Sequence, residues 1–96
     1  MARYFMLLNW TEQGAKNCKD TVTRAAAARQ MAEKMGSRVL DAAWTLGQYD
    51  LILSVEAPDD ETITAIGIAL GKLGNVRTQT LRAFGEAEMQ KILQKV

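Results

Sequence analysis

The sequence predicts an α+β fold. Two βαβ units follow one another, a short helix ends the chain, and both long helices lie on one face of a four-stranded antiparallel sheet. Three observations predict it. Two apolar runs, Val39 to Leu46 and Tyr49 to Val55, flank a glycine-containing break, the pattern of a β-hairpin with a turn of two or three residues. Two helix-like stretches superpose at an offset of 38, with Ala25, Ala28, Ala32, Met35 and Gly36 aligning with Ile63, Ile66, Leu70, Leu73 and Gly74. Residues 3–9 are apolar on both alternating faces, as a strand central in its sheet is.

Ninety-six residues make one domain spanning residues 1–96. Hydrophobic residues are 48% and charged residues 24%, a balance that supports a core and excludes disorder. Net charge is +1 with the signs interspersed, so no basic stripe suits a nucleic acid. No stretch reaches the roughly 20 apolar residues of a membrane span. The early apolar run ends at Asn9, short of the roughly 7–15 residues of a signal-peptide core. Cys18 is alone, so no intramolecular disulfide forms, and a reducing, cytoplasmic setting is expected. The absence of histidine excludes Ser-His and Cys-His nucleophile pairs and removes the commonest transition-metal ligand. No metal site and no cofactor are expected.

The first strand, residues 3–9, places Tyr4, Met6 and Leu8 on one side and Phe5 and Leu7 on the other. Residues 10–19 are polar and read as a loop with at most one helical turn. Asp20 is the expected N-cap of a helix running to Met35, with Gly36 after its end. Its apolar stripe is Val22, Ala25, Ala28, Ala32 and Met35, and Arg24, Arg29, Gln30, Glu33 and Lys34 make its solvated face. The hairpin strands follow over 38–46 and 49–56. Leu40, Ala42, Trp44 and Leu46 share one face of the first; Leu51, Leu53 and Val55 share one face of the second. Pro58 stops the ladder, and Asp59 caps a helix that continues to Leu73 on the stripe Ile63, Ile66, Leu70 and Leu73. Capping accounts for Asp59, Asp60 and Glu61 better than a metal cluster does. Gly67 and Gly71 weaken this helix, which predicts a close packing contact at each. Residues 75–84 form the last strand. The segment from Gly85 to Val96 forms a short helix with Met89, Ile92, Leu93 and Val96 on its apolar side.

This order is the split βαβ, ferredoxin-like arrangement βαββαβ, with the first and third strands as its central pair. Helices on one face leave the other open. That face exposes either Tyr4, Met6 and Leu8 or Phe5 and Leu7, and such a patch marks an interface. A homodimer or higher oligomer is expected, two sheets packing face to face in an assembly of the dimeric α+β barrel type. The alternative is a monomer whose C-terminal helix half-covers that face.

Gly47-Gln48-Tyr49-Asp50 resembles the Gly-x-Tyr-Asp signature of the GYD-domain family. Thr11-Glu12-Gln13-Gly14 is similar to the family's loop after the first strand, Glu56 to Asp60 to its lead into the second long helix, and Leu73 to Phe84 to its last strand. The resemblance covers essentially the whole chain. It implies a small bacterial or archaeal protein with a ferredoxin-like, dimeric α+β fold, and it implies no particular activity.

Candidate ligand-binding residues are Asn9, Trp10, Tyr49, Asp50, Thr78, Thr80 and Arg82. Gly47, Tyr49 and Asp50 serve either as turn, packing and backbone-bracing residues or, for Tyr49 and Asp50, as the rim of a pocket between the open face and a partner subunit, with Asp50 as base or polar contact. Thr78, Thr80 and Arg82 share one face of the last strand, where they recognise a ligand or form a solvated edge. Asn9 and Trp10, ending the first strand, stand where they would close the same pocket. Cys18 lies between Lys16 and Lys19 but lacks a base. The expected function is an oligomeric, non-enzymatic module that binds a small molecule or regulates another protein. The alternatives are a cofactor-independent monooxygenase or isomerase and a subunit that docks another protein. An enzyme predicts an enclosed apolar cavity with Asp50 or Arg82 pointing in.

Overall fold

A computed structural model of the chain describes residues 1–96. Its elements are strand β1 (Ala2–Trp10), a short helix α1 (Glu12–Lys16), a single 3-10 turn (Cys18–Asp20), helix α2 (Thr21–Lys34), strands β2 (Arg38–Trp44) and β3 (Leu51–Ala57), helix α3 (Asp60–Lys72), strand β4 (Val76–Ala83) and helix α4 (Glu86–Leu93). The four strands form one antiparallel sheet in the order β2-β3-β1-β4, with the predicted central pair, so the fold is ferredoxin-like α+β.

The register sorts every strand residue onto a face. Tyr4, Met6 and Leu8 oppose Val55, Leu53 and Leu51 and are buried beneath the helices with Ile63, Ile66, Leu70 and Ala32. Phe5 and Leu7 therefore lie on the open face, beside Ser54 and Ile52 of β3 and Leu81 and Gln79 of β4. Only one of the two apolar sides of β1 is covered by its own chain. α4 buries none of its residues, and Met89 and Leu93 stay exposed, so it does not serve as a cover for the sheet.

The structure corrects several expectations. The hairpin loop spans Thr45 to Asp50, longer than a two- or three-residue turn, which leaves Leu46 fully exposed and Tyr49 outside the strand. The register slips between Val39 and Asp41, so Val39 rather than Leu40 joins Ala42 and Trp44 on the helix side. A bulge of this kind flips the alternation by one position. Asp20 makes no capping bond, and Val22 is exposed; Met31 packs against the core instead. Asp59 does cap α3, accepting from the Thr62 N–H at 2.8 Å. A Cβ on Gly67 would sit 3.3 Å from Thr78 Oγ1, the predicted close contact, whereas Gly71 has open space beside it.

Candidate functional site

The family-like signature builds the hairpin loop and ties it to β1. Gly47 has φ +126, a conformation that favours glycine. Thr45 closes the loop twice: its N–H donates to the Asp50 carbonyl at 3.0 Å and its hydroxyl to the Tyr49 carbonyl at 2.5 Å. The Asp50 N–H then donates to the Leu8 carbonyl at 2.9 Å, and Asp50 Oδ2 accepts from the Trp10 N–H at 2.9 Å. Asp50 thus holds the end of the central strand with both its backbone and its side chain. The Tyr49 hydroxyl donates to Gln79 Oε1 at 2.6 Å. Gln79 opposes Leu7, which opposes Ile52, so Tyr49 reaches across β1 on the open face to β4.

A second junction joins the loop after β1 to the end of α3. Thr11 Oγ1 donates to the Gly74 carbonyl at 2.5 Å and accepts from the Gly14 N–H at 3.2 Å. Gln13 Nε2 donates to Asn75 Oδ1 at 2.9 Å, and the Thr11 N–H to the Asn75 carbonyl at 3.0 Å. Gly14 is packed so closely that a Cβ would lie 2.0 Å from the Asn75 carbonyl oxygen. Two of the quoted family-like pieces therefore form one lock, some 60 residues apart in sequence. Nothing local in either piece names the other as its partner.

The candidate residues fall on two sides of the sheet. Asn9 belongs to the open-face register, opposite Arg77, and Tyr49 crosses that face. Thr78, Thr80 and Arg82 oppose Leu8, Met6 and Tyr4 and so lie on the helix side. Trp10 ends the same alternation; its indole N–H is buried without a partner, as is the Ser54 hydroxyl. The seven residues do not converge on one point.

Arg82 sits where β4 meets α4. Its guanidinium lies 4.5 Å from the centre of the Phe84 ring and 5.6 Å from that of Tyr4, and pairs with Glu88 at 3.4 Å. The Gly85 N–H and the Arg82 guanidinium hold the exposed Glu88 carboxyl below its usual range. Tyr4 donates to Asp60 Oδ1 at 2.5 Å. Burial, then the Asp60 hydrogen bond and charge, push the phenol up to about 12.

The helix side also holds a cavity of about 230 Å³, set between α2 and α3 above the sheet. Leu8, Leu51, Leu53 and Val76 floor it, and Ala25, Ala28, Met31, Leu70 and Leu73 wall it. Asp50 and Arg82 take no part in it. The sequence carried one sign of this space, the small residues Ala25 and Ala28 where α3 has Ile63 and Ile66, but the gap itself depends on how far apart the helices sit. No cluster of three or more His, Cys, Asp or Glu side chains is placed to hold a metal ion.

Comparison with known proteins agrees with this architecture. A protein of Thermus thermophilus named glutamine synthetase and cystathionine beta-lyase binding protein is 31% identical over 90 residues, covering 93% of this chain and 95% of that protein. The crystal structure of TTHA0845 from the same organism superposes with a TM-score of 0.53 at 25% identity, over 88% of this chain and 95% of that one. Residues 4–93 match the GYD domain, taking in the hairpin loop, the lock and both faces of the sheet; the chain belongs to the GYD-domain family.

Proposed function

We propose that the protein is an oligomeric binding module with no chemistry of its own, which packs the open face of its sheet against another chain. The observation that carries this reading is the name of its 31% identical relative, that of a protein binding two enzymes. By that likeness, the first partners to test are a glutamine synthetase and a cystathionine β-lyase, beside a second copy of this chain.

The surface supports the reading. The chain exposes 6483 Å², about 1,000 Å² more than a monomer of its mass ordinarily does. A standard interface buries about 800 Å² on each partner. Phe5, Leu7, Ile52 and Leu81 give the open face an apolar centre, and the unpartnered Ser54 hydroxyl lies among them. Asn9 and Tyr49 stand at one end of that face, and Asp50 fixes the strand end there through the Trp10 N–H, while the Trp10 side chain belongs to the helix side. Thr78, Thr80 and Arg82 lie on the helix side, away from that face. The enzyme reading needs Asp50 or Arg82 inside an enclosed cavity; neither lines the helix-side cavity, and Asp50 holds a backbone N–H.

Leu7→Glu tests the proposal. Native mass spectrometry and binding to purified glutamine synthetase or cystathionine β-lyase of the same host should both change, because a carboxylate in the middle of an apolar interface stays unpaired. Unchanged oligomeric state and unchanged binding in the folded variant would remove the open face from the account.

A further inference from the structure

We infer that the cavity between α2 and α3 is a binding site for a small amphiphilic carboxylate, a chain of about eight carbons whose head group is held by Arg24. The inference is independent of the docking proposal, since the cavity lies across the sheet from the open face.

The lining is arranged as an amphiphile is. Its polar groups gather at the first turns of α2. Thr21 is held by the Trp44 indole N–H at 3.0 Å. Arg24 donates to the Asn17 carbonyl at 2.7 Å and the Gly14 carbonyl at 3.4 Å. Asn75 packs against the same Gly14. Ala28, Met31, Leu51, Leu53 and Leu70 are all apolar. At about 30 Å³ for a group the size of water, the 230 Å³ holds roughly seven or eight such groups, the length of an octyl chain.

Charge identifies the head group. Arg24 is the only charged side chain on the lining and is half-buried. Its two hydrogen-bond partners are backbone carbonyls, and no carboxylate lies within ion-pair distance; the chain's ion pairs are Arg38 with Glu56 and Arg82 with Glu88. A guanidinium fixed by carbonyls keeps its remaining N–H groups and its whole charge for an anion. The two backbone bonds also lower the entropy lost on binding.

The probes are octanoate, octanol and octylamine, titrated below their micelle concentrations by calorimetry and followed by tryptophan fluorescence in a Trp10→Phe background, which leaves Trp44, whose indole is bonded to Thr21, as the reporter. Octanoate should bind at one site per chain and more tightly than the other two. Arg24→Gln should weaken octanoate about tenfold and leave octanol unchanged. Ala28→Leu, which fills the cavity, should abolish binding of both. Leu7→Glu, on the opposite face, should alter neither, so failure of the docking proposal and failure of this one are separate results. Absence of saturable octanoate binding, equal affinity for octanol, or octanoate binding insensitive to Arg24→Gln would each overturn the site. Should Ala28→Leu fail to fold, the Arg24→Gln substitution with the octanol comparison decides alone.

Discussion

Along α3, Ile63, Ile66 and Leu70 are buried against the sheet; at the corresponding positions of α2, Ala25 and Ala28 are half-exposed and only Ala32 is buried. The two helices share a spacing, a sheet face and a place between strands. They differ in side-chain volume and in how their ends are held. α3 approaches β4 closely at Gly67, is capped by Asp59 and is hydrogen-bonded through Asp60 to Tyr4. α2 has no side-chain cap and stands over unfilled space. Periodicity sets which face of a helix turns inward, while volume sets whether that face closes the core.

Substitutions in the two halves test the contrast. The largest effect is expected at Ile66→Ala, which should cost about 3 kcal/mol in urea unfolding by opening a cavity in the closed half. Ala28→Gly, its counterpart on α2, should cost only about 1 kcal/mol, the helix-propensity term; equal losses would break the comparison. Tyr4→Phe comes next, at about 1.5 kcal/mol, the low end for a hydrogen bond to a charged group because water can solvate the exposed Asp60. The sign with pH is definite. The folded phenol titrates near 12 against an ordinary value near 10, so folding favours the protonated form. That stabilisation is whole below pH 10 and is lost as pH rises from 10 to 12, and the loss should be absent from Tyr4→Phe in a pH series of melting temperatures. Ala28→Leu should stabilise the free protein by about 1 kcal/mol through the methyl groups it buries; a loss of stability would show that the space is smaller than it measures. The smallest effect is expected at Gly71→Ala. With nothing near its absent Cβ, it should gain about 0.5–1 kcal/mol in thermal unfolding, whereas the same change at Gly67 meets Thr78.

The fold was legible because it rests on local patterns. Stripes at helical spacing, the alternation of β1 and the glycines after both long helices located the elements and the central pair. What escaped rests on geometry between distant parts. The bulge at Leu40 adds a residue without a sequence mark and puts Val39 in the place of Leu40 on the helix side of β2. The longer hairpin loop is set by the Thr45 bonds to Tyr49 and Asp50, which no propensity encodes. Thr11, Gln13 and Gly14 engage Gly74 and Asn75 across the molecule. The candidate residues were recognised as polar groups in strands and loops, but their division between two faces follows from register alone. The cavity was hidden because it is made by what α2 lacks.

The surface left wet by this chain has a calorimetric consequence. The molecule is elongated, with principal extents of 48 × 30 × 18 Å. The heat-capacity increment of unfolding follows the apolar area newly exposed. The excess of about 1,000 Å² is roughly a tenth of what a chain of this mass exposes on unfolding, so its free-energy curve is slightly shallower in temperature and its response to denaturant slightly weaker. Association across Phe5 and Leu7 would add the missing increment. The protein's melting temperature would then climb with its own concentration, and the width of its transition would report how much of that sheet face is covered.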